Sequence, residues 1–338
     1  MKAYQIGKQD GLSSLKFVEC EPPVVGRGEI LVQPRFTCLN HRDLLMLRGN
    51  YGPRKDETRI PLSDGVGEVI SLGEGVDGFA VGDRVIAPHF INWLDGDYSP
   101  AIFAADVGIT VDGWLAERIK LPASVAIKLP DEVTDLQAAA LAAAGTTVWH
   151  ALVTFGKIKP GDLVLTLGTG GVSILALQIA KALGADVAIT SSSDDKLEIA
   201  RKLGADHIVN YCTAVDWPSA LSELTGGRGA DIIVETAGFA TLGQSIAAAA
   251  PNGRIALIGG LAGQAGETPP NFFGIIGKNL LLKGITSGSR AMLSDLLDLV
   301  AKTGIIPVID HVFTFDEAPE AYAYLDRGGH LGKIMISV

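Results

Sequence analysis

The chain changes its hydrophobic rhythm once, near residue 126. Before that point the apolar positions come in short runs with a period near two. "GEILVQPRFT" (28–37), "GVGEVISLG" (65–73), "VGDRVIAP" (81–88) and "LAERIKLP" (115–122) are bounded by glycine or proline. Side chains on a strand alternate between its faces, so such runs predict short half-buried strands and a small, irregular β-barrel-like domain. From residue 126 strand and helix patterns alternate. "LVLTLG" (163–168) precedes the helical "GVSILALQIAKALG"; "DVAIT" precedes "DDKLEIARKLG"; "ADHIVNY" precedes a helix around 215–224. "DIIVET", "TLGQSIAAAA", "GRIALIGG" and "NLLLKGI" follow. Six strands alternating with helices predict a parallel sheet covered on both faces. The last fifty residues carry two amphipathic helical patterns, a short strand and the terminal "GKIMISV", and are expected to return to the first domain. The expected fold class is therefore α/β: a doubly wound parallel sheet over 126–284, and a β-rich domain over 1–125 and 285–338.

Composition narrows this picture more than it changes it. A chain of 338 residues accommodates two domains. The mean hydropathy of +0.30 is high, and two stretches (136–156 and 163–180) carry no formal charge and approach the length of a membrane span. The first is mostly alanine broken by Gly145-Thr146-Thr147, the second is broken by "GTGG", and buried helices and strands give the same statistics. No membrane partner is expected. A formal net charge of −10 leaves no basic footprint for nucleic acid. Three cysteines (Cys20, Cys38, Cys212) share no C-x-x-C spacing, which suits a reducing compartment. "MKAYQIGKQDG" lacks an apolar core of the kind a secretory leader needs, so a cytoplasmic location is expected.

Where "LVLTLG" turns into the helix stand Gly168, Gly170, Gly171 and Val172. Glycine allows the tight turn and the close approach of backbone to a pyrophosphate, and the helix start supplies amide donors. Ser173 replaces the third glycine of G-x-G-x-x-G, tolerable if its hydroxyl bonds back to a helix carbonyl. The next strand ends in Thr190, Ser191, Ser192 and Ser193 rather than in a carboxylate, with Lys196 nearby. Hydroxyls and a lysine suit a ribose 2′-phosphate, so NADP(H) is expected to be preferred, with NAD(H) possible. Ser193 or Asp194 can also cap the following helix.

Taken in order, "LNHRDL", "GVGEVISLGEGVDGFAVGDRV", "AAAGTTVWHAL", the glycine loop, "KLGADHIVNY", "GGRGADIIVETAG", "GRIALIGG" and "GKIMISV" resemble the medium-chain dehydrogenase/reductase superfamily. The resemblance spans essentially the whole chain and implies a GroES-like catalytic domain joined to a Rossmann cofactor domain. It implies where a catalytic zinc would sit: a cysteine at Asn40, a histidine at Ser63 (followed by Asp64 for the usual glutamate) and a cysteine near Ala143. All three ligand types are gone. The stretch 90–112 has no cysteine for a structural zinc. Cys38, His41 and Asp43 are possible ligands by residue type, but the leftovers His41, His89 and Asp64 have no recognisable ligand spacing. The chain thus looks like a zinc-free member, similar to quinone oxidoreductases and enoyl reductases, and no metal is expected.

Without a Lewis acid, charge on a substrate oxygen must meet hydrogen-bond donors and finally a proton. Asn40 offers an amide and Tyr51 a phenol, with Asp43 as an orienting carboxylate. Asn40 and Asp43 are also spaced as a helix N-cap and its N3 partner. The resemblance implies a proton donor at Tyr51, a pyrophosphate contact at His41, a nicotinamide contact at Thr147 and a residue near the cofactor at Lys333. Ala237, Ile258 and Gly259 stand at strand ends, where ligands of doubly wound sheets bind. Phe90, Trp93 and Tyr98 could line a substrate pocket or simply pack together. The expected activity is hydride transfer between NADP(H) and a quinone, an α,β-unsaturated carbonyl or a small carbonyl/alcohol pair. The alternatives are an alcohol dehydrogenase with a non-standard metal site and a non-catalytic NADPH-binding protein. The strand "NLLLKG" would leave a long apolar sheet edge, and a homodimer (or tetramer) would cover it.

Overall fold

The computed structural model describes residues 1–52, 57–260 and 269–338. The chain forms two compact units: Met1–Thr146 with Gly288–Val338, and Thr147–Ser287.

The first unit is built on a seven-stranded sheet in the order Ile309–Thr314, Lys333–Ser337, Glu29–Leu39, Asp64–Leu72, Arg84–Ile86 and Ile127–Lys128, with Ile119–Pro122 also pairing to Glu29–Leu39. All these pairings are antiparallel except that of Ile309–Thr314 with Lys333–Ser337. Glu29–Leu39 alternates between buried and less buried positions at its start, then buries Thr37, Cys38 and Leu39 in succession. Its end has left the half-solvated surface for the interior. Pro34 cannot donate to a ladder, and the register against Asp64–Leu72 shifts just there.

The boundary near residue 126 lies earlier than the structural one. Residues 126–146 pack with the first unit, because Ile127–Lys128 continues its sheet and helix Asp135–Ala139 lies on Glu29–Leu39 and Asp64–Leu72. Arg84 fastens this segment, donating to Asp135 and to the carbonyls of Pro130 and Val133.

The second unit is a six-stranded parallel sheet in the order His207–Asn210, Asp186–Ser191, Leu163–Leu167, Ala230–Glu235, Ala249–Leu257 and Leu281–Gly284. Every residue of Leu163–Leu167 is buried, as an unbroken apolar run requires of a central strand. The chain starts at this strand, moves outward one way, then resumes on its other side. The direction therefore switches between Leu163–Leu167 and Ala230–Glu235, and their carboxyl ends flank the ligand position of such sheets. Leu281–Gly284 ends the sheet. It is only four residues long, so the edge is shorter than the sequence suggests. The uncharged run 136–156 folds into the short helical stretches Asp135–Ala139, Leu141–Gly145, Thr146–Trp149 and His150–Phe155. Among the described residues no helix is long and apolar enough to cross a membrane.

Candidate active site

Strand register brings the polar residues of the first unit together. Leu39 pairs with Ile334 on one side, and Cys38 pairs with Asp64 on the other. The residue that leaves the central strand, Asn40, consequently lies beside Lys333 and Ser63. Lys333 is buried, and its Nζ donates to Leu39 O at 2.9 Å and to Asn40 Oδ1 at 2.5 Å. Asn40 Nδ2 faces Ser63 Oγ at 3.5 Å, a loose contact. Ser63 Oγ donates to Asp64 Oδ1 at 2.7 Å, and Asp64 Oδ2 accepts the amide of Ala143 at 3.0 Å. The glycine after Asp64 is dictated by packing: a Cβ on Gly65 would stand 2.3 Å from the fully buried Trp114 ring.

Helix His41–Leu47 starts at Asn40, and Asp43 closes its first turn by accepting the Asn40 amide at 2.7 Å. Asp43 thus fills the N3 role that its spacing suggested, and the side-chain oxygen of Asn40 also accepts from Lys333. Burial pushes the Asp43 carboxyl up to about 7, against the pull of Arg42. Burial likewise pushes the Cys38 thiol up to about 12, so it stays protonated and is neither nucleophile nor ready metal ligand. Arg42 lies 4.9 Å from the centre of the Tyr51 ring, donates to His89 Nδ1 at 2.5 Å and pairs with Asp106 Oδ1 at 2.6 Å. Burial and then Arg42 lower the His89 pKa, so its Nδ1 accepts from the guanidinium as a neutral imidazole. Burial opposes the Asp106 charge, but the Arg42 guanidinium outweighs it and holds the carboxyl below the usual range. Tyr51 is half-buried, and burial raises its phenol pKa.

The positions matched to zinc ligands do converge, but their chemistry does not fit the ion. They offer an amide, a hydroxyl and an alanine, with an ammonium alongside. Zinc requires three or four thiolate, imidazole or carboxylate donors. Among the described residues no three His, Cys, Asp or Glu side chains gather into a metal-holding group. The stretch 90–112 is held by other means. Asp106 pairs with Arg42, while Phe90, Trp93 and Ile102 form a small buried cluster against Met292. Phe90 and Trp93 are therefore packing residues, and Tyr98 is exposed.

In the second unit the residues fit a dinucleotide. Gly168 has φ +75°, and among the described residues nothing lies within 4 Å of where a Cβ on Gly168 or Gly170 would point, so these residues leave the front of the loop open. Helix Gly171–Ala182 begins there with no side chain capping its first turn, which leaves the amides around Gly171 and Val172 facing an anion's position. Ser173 donates to Leu167 O at 2.6 Å. Its hydroxyl thus ties the helix to the strand end rather than to a helix carbonyl, because the tight turn brings that carbonyl nearest. Thr236 Oγ1 donates to the same carbonyl at 2.9 Å. The loop carrying Ala237 is organised by buried Glu235, whose Oε1 accepts the amides of Ala237 and Gly238 and the hydroxyl of Thr241. Glu235 was missed in the sequence, where it reads as the end of a strand. Thr190 and Ser191 are buried at the end of their strand, and Thr190 Oγ1 accepts the Gly168 amide at 3.4 Å. Ser192 is exposed, and Ser193 caps helix Asp194–Lys202 by accepting the Lys196 amide. Asp194 accepts from Asn210 Nδ2 at 2.7 Å. His41 is exposed, Thr147 is buried, and Ile258 and Gly259 close the turn after Ala249–Leu257 by donating to Glu235 O.

Two family models match the chain: an alcohol dehydrogenase GroES-like domain over residues 26–131 and a zinc-binding dehydrogenase over 171–302. A zinc-type alcohol dehydrogenase-like protein of Schizosaccharomyces pombe is 40% identical over 97% of this chain and 96% of its own length. A solved NAD-dependent alcohol dehydrogenase is 32% identical with a TM-score of 0.91, both chains being covered fully. A mycobacterial protein solved in complex with NADPH is 26% identical with a TM-score of 0.82, again over the full length of both. With its GroES-like β domain, its Rossmann sheet and these relatives, the chain belongs to the medium-chain dehydrogenase/reductase superfamily of oxidoreductases, as an alcohol dehydrogenase-like member.

Proposed function

We propose that this oxidoreductase moves hydride between NADP(H) and a quinone, an α,β-unsaturated carbonyl or a small carbonyl/alcohol substrate without catalytic zinc. The observation that carries the reading is the donor set at the zinc-ligand positions, where Asn40 and Ser63 replace a thiolate and an imidazole. A nicotinamide dinucleotide, held at the Gly168 loop, supplies or receives the hydride. Among the described residues Asn40 Nδ2 meets only Ser63, and loosely, and so keeps an N–H for a substrate oxygen as negative charge develops on it. Tyr51 holds its phenol proton at neutral pH and delivers it to that oxygen or, for an α,β-unsaturated carbonyl, to the carbon α to the carbonyl. Arg42 steadies the ring from 4.9 Å. His41 and Thr147 contribute cofactor contacts. Ser191, Ser192 and Lys196 favour a 2′-phosphate, and related chains include both an NADPH complex and an NAD-dependent enzyme.

The test is consumption of NADPH and NADH by purified protein against a panel of quinones, enals and ketones, together with metal analysis. Turnover that survives chelation, at zinc well below one per chain, supports the reading. Near-stoichiometric zinc whose removal abolishes activity would favour a second one, alcohol oxidation at a non-standard metal site, to which the zinc-type relative lends weight. Tight NADPH binding without turnover would mark a non-catalytic binding protein.

A further inference from the structure

The hydrogen bonds around Asn40 run in one direction, and the chemistry of each partner fixes that direction. An ammonium can only donate, so the atom of Asn40 that meets Lys333 Nζ at 2.5 Å must be its carbonyl oxygen. The amide nitrogen must then point the other way. Ser63 has a single hydroxyl proton, and Asp64 Oδ1 takes it at 2.7 Å, so the Ser63 lone pairs face Asn40. Asp64 is held in turn by the Ala143 amide at 3.0 Å. A chain of donors therefore runs from a buried cation, through Asn40 and Ser63, to a buried carboxylate. Its members come from three strand ends, and Lys333 and Asn40 stand 293 residues apart in the chain.

We propose that Lys333 is a positioning residue for the reaction, and that its ammonium takes the place a metal would otherwise hold. It locks the Asn40 amide with its NH2 group outward and keeps a positive charge one amide removed from the substrate oxygen. A cation donating to the carbonyl of an amide draws electron density from its nitrogen and strengthens that group as a donor. The sequence resemblance suggested a residue near the cofactor at this position; the ammonium meets Leu39 O and Asn40 Oδ1, with the Cys38 thiol beside it. The inference rests on the zinc-free reading above and deepens it.

The experiment compares the full-length protein with Lys333→Met, Lys333→Arg and Asn40→Asp. In Lys333→Met, kcat on the best substrate of the panel should fall about ten- to hundredfold, below the loss seen when an oxyanion donor itself is removed, with the Kd for NADPH nearly unchanged. Lys333→Arg, which can still donate to both oxygens, should recover part of the loss. Asn40→Asp still gives Lys333 an oxygen acceptor, now a carboxylate, but has no N–H to offer; it should remain folded and lose kcat. Atomic-resolution crystal structures of the wild type and Lys333→Met supply a readout that needs no turnover: the Asn40 oxygen should face Lys333 in the first, and the side chain should rotate in the second. An Asn40 that keeps its orientation without the ammonium, or a Lys333→Met enzyme that loses NADPH affinity while kcat at saturation stays put, overturns the proposal. Failure of the wild type on the whole panel would instead count against the proposed activity, and the crystallographic comparison would still decide the role of Lys333.

Discussion

Asp43 shows how one side chain serves both local structure and the site. Its carboxylate closes the first turn of helix His41–Leu47, yet burial holds its pKa near 7. Between the unfolded value near 4 and about 7, the folded protein keeps a proton that the unfolded chain has released. Stability contributed at this residue therefore declines as pH rises through that window. Asp43→Asn, which can still accept the Asn40 amide, is expected to flatten the dependence of Tm on pH between about 4 and 7 relative to wild type; an unchanged curve would count against a raised pKa. At the other unit, Ser192 is exposed at the end of its strand. Ser192→Asp places a carboxylate where a 2′-phosphate is proposed, so the KM for NADPH should rise by about tenfold, the equivalent of ~1.4 kcal/mol, while that for NADH changes little. Paired titrations with the two cofactors measure the difference. Single residues were partly legible in the sequence: Asn40, Asp43 and Tyr51 stood out because donors and an acid crowd into a dozen positions. Arg42, His89 and Asp106 did not stand out as a set, since their meeting depends on a contact across 64 residues.

At the scale of elements, glycines and small hydroxyls decide how closely pieces approach. Gly65 opens the strand behind the site because the Trp114 ring lies against it. Gly65→Ala should destabilise by about 1–3 kcal/mol, the usual cost of overpacking a filled core, and denaturant unfolding would reveal it. Ser173 ties helix Gly171–Ala182 to Leu167 O. Ser173→Ala removes a buried hydrogen bond, so a loss of about 1 kcal/mol is expected, with the affinity for NADPH little altered because the loop amides remain. A large fall in affinity at unchanged stability would mean that the hydroxyl meets the cofactor directly. The elements themselves were well anticipated. Periods of two and 3.6 residues arise from backbone geometry, and "LVLTLG", "DVAIT" and "DIIVET" became the strands Leu163–Leu167, Asp186–Ser191 and Ala230–Glu235. The break in rhythm at residue 126 was a poorer guide to the units, because helix Asp135–Ala139 belongs to the unit whose strands it covers.

At the scale of the whole molecule, the second unit leaves apolar surface uncovered. Leu281 on the edge strand is 52% exposed, and Phe272 and Phe273 on the short helix before it are 67% and 81% exposed. We propose that a second copy of the chain covers them, since exposed strand edges are usually paired or blocked. Leu281→Lys should then shift the mass measured by light scattering toward the monomer, whereas a monomeric wild type would refute the idea. What the sequence determined by itself was local: the alternation that makes strands, the glycines that open a phosphate loop, and the crowding of amide, acid and phenol between Asn40 and Tyr51. The tertiary structure alone decided that Lys333 reaches Asn40, that Asp106 reaches Arg42, and that residues 126–146 join the first unit. Periodicity and turn chemistry are written in neighbouring residues. Which buried donor meets which acceptor is set by strand register and by the need of each desolvated charge for a partner, and those are satisfied only once distant segments have folded together.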